Sequence, residues 1–131
     1  MAVDFITDDP DGLLQAFEDA IDLDDGDAGA INSWIPVKGG AYAHKGQHSK
    51  KAKMTPKAGN GYLRFSYTPL LNMEHDEAEQ VRGYYHGHIL QTFVAHFDGE
   101  IKSAKYVKRA VSDSPEEAVI AKPVIITKPK K

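Results

Sequence analysis

The chain has 131 residues, 41% apolar and 27% charged, which is one domain's worth of ordinary globular sequence and too balanced for wholesale disorder. It contains no cysteine, which excludes disulfides, thiolate metal sites, iron–sulfur clusters and cysteine nucleophiles. The net charge of −3 conceals segregation: residues 1–37 carry ten acids and no lysine or arginine, residues 38–64 seven bases and no acid.

The chain opens acidic, with Asp4, Asp8 and Asp9, where a signal peptide needs a basic start and an apolar run. No stretch approaches the roughly 18 apolar residues of a membrane span. The expected location is cytoplasmic, with no membrane partner. Thr7-Asp8-Asp9-Pro10 supplies a helix cap and a proline at the first helical position. Leu13, Leu14, Phe17, Ala20 and Ile21 then recur on one helical face. The acidic run 22–27 ends this helix, and it lacks the glycine and carboxylate positions of an EF-hand loop.

Short strands follow, each closed by turn residues. They are predicted at Ile31–Val37, with Pro36 suiting an edge, at Ala41–Lys45 and at Ala52–Lys57. Gly46–Lys51 reads as a polar loop, and Gly59-Asn60-Gly61 contains the Asn-Gly pair of a tight hairpin. Tyr62–Thr68 alternates Leu63, Phe65 and Tyr67 against Tyr62, Arg64 and Ser66, and Pro69 stops it.

Asp76-Glu77-Ala78-Glu79 has the pattern of a capping box opening a second helix. Val81, Tyr85, Ile89, Phe93 and Phe97 form its stripe, which Leu90 and Val94 would widen. Gly83 and Gly87 are unfavourable in a helix. They imply either close packing by another element or a strand over 79–86 with the helix confined to 87–97. Asp98-Gly99 ends the helix, and a last strand is expected over Glu100–Val111.

These elements predict a single α+β domain over 1–111. It would be a twisted, mainly antiparallel sheet of four or five strands with two helices on one face, in the order α-β-β-β-β-α-β. The helices would cover Trp34, Leu63, Phe65 and Tyr67. Residues 112–131, with Pro115, Pro123, Pro129 and several lysines, read as a flexible basic tail in which Val124-Ile125-Ile126 could dock as an edge strand.

Three constellations bear on function. Lys45, Lys50, Lys51, Lys53, Lys57 and Arg64 interleave with Tyr42, Tyr62, Phe65 and Tyr67, and Lys102 and Lys105 flank Tyr106 in the last strand. Cations for phosphates beside aromatic faces for bases suit a nucleic-acid or other anionic partner. The opposing reading makes the aromatics core and the lysines a solvated sheet face, and the sequence pI near 6.0 favours it. Second, His44, His86 and His88 could supply a general base for phosphodiester hydrolysis beside those cations. On a helix, however, His86 and His88 would diverge by about 200°. Third, the acidic first helix could serve a protein partner, as in an inhibitor or immunity-type factor. No phosphate loop, dinucleotide fingerprint or nucleophile elbow is present. Neither a metal site nor a cofactor is expected. The reading that results is a small, non-catalytic, intracellular binding or regulatory protein.

The opening Asp4-Phe5-Ile6-Thr7-Asp8-Asp9-Pro10-Asp11-Gly12-Leu13-Leu14 and the later Tyr85-His86-Gly87-His88-Ile89…His96-Phe97-Asp98 resemble a group of small uncharacterised bacterial proteins, some carried on mobile elements. The likeness spans most of residues 1–110. That group has no assigned activity, so the resemblance carries over no functional residue. It usually shows an arginine at the position of His88, which weakens a joint role for His86 and His88.

Overall fold

A computed structural model of the chain describes residues 1–46 and 48–108. The predicted tail, its Val124–Ile126 segment and the end of the last predicted strand lie outside the described residues. In chain order the elements are β1 (Ala2–Ile6), α1 (Pro10–Asp22), β2 (Trp34–Val37), β3 (Ala41–His44), β4 (Ala52–Ala58), β5 (Tyr62–Pro69), α2 (His75–Phe97), a 3-10 turn (Asp98–Glu100) and β6 (Ser103–Val107). The strands form one sheet in the order β2-β3-β4-β5-β1-β6, and every neighbouring pair is antiparallel.

The α+β class and the antiparallel sheet match expectation, but the sheet has six strands and the order is β-α-β-β-β-β-α-β. The unforeseen strand is β1, which lies between β5 and β6. Val3 and Phe5 pair with Phe65 and Leu63 on the apolar side, while Asp4 interrupts the hydrophobic run from the other side. Five residues with a central acid give too weak an alternation to stand out. The last strand starts at Ser103, later than the expected Glu100, which the 3-10 turn takes up.

Each helix forms for a local reason. At α1, Asp9 Oδ1 accepts the Gly12 N–H at 3.0 Å and Pro10 takes the first position. The second helix runs unbroken from His75 to Phe97, so residues 79–86 are helix and not strand. Its capping box does not form: Glu74 is the N-cap and no side chain caps it. Glu77 instead reaches Lys51 at 2.7 Å, and Glu79 lies 3.6 Å from both His75 and Arg82. Between β4 and β5, Gly61 takes φ +87°, a left-handed conformation that glycine adopts without strain.

Both helices pack against β4 and β5. Phe93 of α2 is the centre of the core, stacked on Phe5 at 4.3 Å and on Phe17 of α1 at 5.3 Å, with Phe65 edge-on at 5.3 Å. Each such aromatic pair adds about 0.5–1.5 kcal/mol beyond area burial. Trp34, Leu63 and Phe65 are buried beneath the helices and Tyr67 is partly so, as predicted. Leu90 and Val94, expected to widen the α2 stripe, are instead 40% and 49% exposed. They fall on the flank of α2 towards β6, where no described helix packs against them. Among the described residues, no helix is long and apolar enough to cross a membrane.

Candidate anion-binding face

Strand alternation divides the sheet's side chains between two faces. Phe5, Met54 and Phe65 point to the helices and are buried. Their neighbours Asp4, Lys53, Thr55, Lys57, Arg64 and Ser66 therefore point to the opposite face. The register sets Lys57 opposite Arg64, Arg64 opposite Asp4, and Asp4 opposite Lys105. Four charged residues from four adjacent strands thus form one row, about 14 Å long at ~4.8 Å per strand.

Arg64 and Asp4 at the centre of the row are bound to each other. The guanidinium donates from Nε to Oδ1 at 2.7 Å and from Nη2 to Oδ2 at 2.9 Å, the bidentate geometry that makes such pairs strong. Tyr62 lies beneath, its ring centroid 5.2 Å from the guanidinium carbon. Lys57 and Lys105 at the ends of the row are exposed, and Lys53 on the same face is half-buried.

The nominated cations therefore separate into two groups. Lys51 pairs with Glu77, Arg64 with Asp4, and Lys102 with Asp8 at 2.7 Å. Among the described residues, Lys45, Lys50, Lys53, Lys57 and Lys105 form no ion pair. Lys45 and Lys50 are exposed in the loop between β3 and β4. Of the nominated aromatics, Tyr42, Phe65 and Tyr67 belong to the helix-side core, and Tyr62 alone joins the basic face. Asp4, which organises the row, was missed. The available signal was its place as the lone acid in the alternating Ala2–Ile6.

Of the three candidate histidines, His44 and His88 come together, with ring centroids 4.5 Å apart, while His86 lies elsewhere. As a helix requires, His86 and His88 leave α2 in different directions. His88 Nδ1 lies 3.2 Å from His44 Nε2. The Gly46 N–H donates to His44 Nδ1 at 3.0 Å, so that nitrogen is unprotonated and the His44 hydrogen sits on Nε2, donated to His88. The Tyr84 ring packs on His44, His48 and His88 at centroid distances of 5.0, 4.8 and 4.3 Å. Burial, with lesser contributions from His88 and His48, pushes the His44 pKa down to about 4. Neutral at pH 7 and with both nitrogens engaged, His44 has the geometry of a packed structural group, whereas a general base needs a free nitrogen and a pKa nearer the working pH.

His86 packs against Tyr67, tilted by 42° at 5.2 Å, and edge-on against Tyr106 at 5.0 Å. Its Nδ1–H donates to the Arg82 carbonyl at 2.6 Å. Burial lowers its pKa to about 4, aided by the positive charges of the chain terminus and Arg82 and opposed by the carbonyls of Arg82 and Met1. Among the described residues, no group of three or more histidine or carboxylate side chains is placed to hold a metal ion. No protein-family model, curated protein or solved structure matches the chain.

Proposed function

We propose that the chain is a non-catalytic, cytoplasmic binding protein whose sheet face opposite α1 and α2 engages a polyanion, with nucleic acid as the partner class. The observation that supports this is the set of unpaired lysines, Lys53 and Lys57 on β4 and Lys105 on β6, displayed on one face around a Tyr62 ring. Arg64 contributes by position, since its pairing with Asp4 already neutralises it. The exposed acids of α1, Asp11, Asp19 and Asp22, lie on the helix side of the sheet. The charge is polarised across the fold, and a polyanion would be steered to the basic side. The likeness to the small bacterial group belongs to this proposal but supplies no residue for it.

A second reading rests on its own observation. Among the described residues, Asp11, Asp19 and Asp22 form no ion pair, which leaves α1 an acidic face for a protein partner. Fluorescence anisotropy with labelled single- and double-stranded DNA and RNA at low salt separates the two. Binding to none of the four removes the nucleic-acid reading and leaves the acidic helix.

A further inference from the structure

We infer that the partner of the basic sheet face is double-helical nucleic acid, held through its phosphates alone and without selection among bases. The inference rests on the polyanion reading and narrows it. Proteins that hold single strands pair a cationic groove with aromatic rings on which successive bases stack. Whether this face offers such a ring can be followed through the whole chain, because residue 47 and residues 109–131 contain no phenylalanine, tyrosine or tryptophan.

No ring is free to take a base there. The phenylalanines, Trp34, Tyr42 and Tyr85 are buried in the core, and Tyr67 and Tyr84 pack against it. Tyr106 is 49% exposed and follows Lys105 in sequence, yet its register opposite Val3 sets it on the helix side of the sheet. That leaves Tyr62, whose ring is already engaged by two neighbours. The Arg64 guanidinium carbon lies 5.2 Å from its centroid, and the ring packs so closely on Gly59 that a Cβ at that position would collide with it.

Base edges fare no better. The commonest specific contact is an arginine fork on guanine, and Arg64 spends its fork on Asp4. What the face does present is Lys53, Lys57 and Lys105, with the Thr55 and Ser66 hydroxyls opposite each other across β4 and β5. Ammonium and hydroxyl groups of this kind are phosphate ligands, which position a nucleic acid without reading it. Charge density then decides the form of the partner. Over the ~14 Å of the row, a duplex at one charge per ~1.7 Å brings about eight phosphates and a single strand about four. Without stacking to compensate, the duplex is favoured.

The test is fluorescence anisotropy of the full wild-type chain at one low salt concentration. The probes are an AT-rich, a GC-rich and a mixed DNA duplex, with oligothymidylate and oligoadenylate of the same length as single strands. Each duplex should bind about tenfold more tightly than either single strand. The three duplexes should agree to within about threefold, since reading even one base pair separates sequences by about fivefold or more. Single strands bound as tightly as duplexes, or one duplex favoured over the others beyond threefold, would overturn this inference and leave the polyanion reading standing. Binding to none of the five would overturn both.

Discussion

Asp4 and Arg64, sixty positions apart in the chain, face each other across β1 and β5 with both side chains 5% exposed and two hydrogen bonds between them, at 2.7 and 2.9 Å. Removing one partner of a buried pair strands the other charge. Asp4→Ala should therefore cost about 3–5 kcal/mol. Asp8→Ala, which breaks the exposed pair with Lys102 (63% and 82% exposed), should cost under about 1 kcal/mol. Urea denaturation of the two variants checks the contrast, and equal costs would contradict the burial of the central pair.

Core packing makes the next prediction. Phe93→Ala removes the ring that meets Phe5, Phe17 and Phe65 and should cost about 3–5 kcal/mol. Leu90→Ala, one flank away on the same helix, should stay within about 1 kcal/mol because that side chain is exposed. Similar losses for both would mean that α2 is rotated from the orientation described.

Gly83→Ala should raise stability. The position is exposed, mid-helix and clear of other atoms, so the change brings helix propensity without a clash, up to about 1 kcal/mol. A fall in the denaturation midpoint would show that a side chain at position 83 does meet a neighbouring group.

Stability should also depend on pH through the two buried histidines. In the unfolded chain, histidine titrates near 6.5, whereas His44 and His86 are held down to about 4 in the folded chain. Between those values the unfolded state binds more protons, so stability rises with pH across the window. It is fully present above about 6.5 and is lost as pH falls towards 4. The groups facing these rings are His88, His48 and Tyr84 for His44, and Arg82 and the chain terminus for His86. Thermal midpoints from pH 7.5 to 4.5 should decline below about 6.5. A flat profile would show that neither ring is held neutral.

Much of the fold could be read from local pattern, and little of the site could. The α1 cap at Asp9, the α2 stripe from Val81 to Phe97 and the Gly61 hairpin each depend on neighbours within a few residues, so the sequence carries them directly. Ala2–Ile6 did not show because its stability as a strand comes from pairing with β5 and β6 on either side. Leu90 and Val94 look like core by periodicity alone; only the position of β6 leaves them outside. The same limit applies to the site. Lysines were visible as a basic block, but their division into paired and unpaired groups depends on cross-strand register. Lys57 and Lys105 occupy one row only because β1, which carries Asp4, separates β5 from β6. Likewise His44 meets His88 through the docking of α2 on β3, which no spacing in the sequence encodes.

The proposal is that the sheet face opposite α1 and α2, rather than the basic block as a whole, binds a polyanion. The most direct measurement is the salt dependence of duplex DNA binding by anisotropy, for the wild type and for two variants. One is Lys53→Gln/Lys57→Gln/Lys105→Gln, which removes unpaired lysines of the face; the other is Lys51→Gln/Lys102→Gln, which removes lysines already paired with Glu77 and Asp8. With a slope of about −0.9 per phosphate neutralised, the face variant should bind more weakly on every sequence and flatten the log–log slope by nearly three units. The paired-lysine variant should keep the wild-type slope to within about one unit. Equal flattening by both variants, or a face variant that binds like the wild type, would contradict the account.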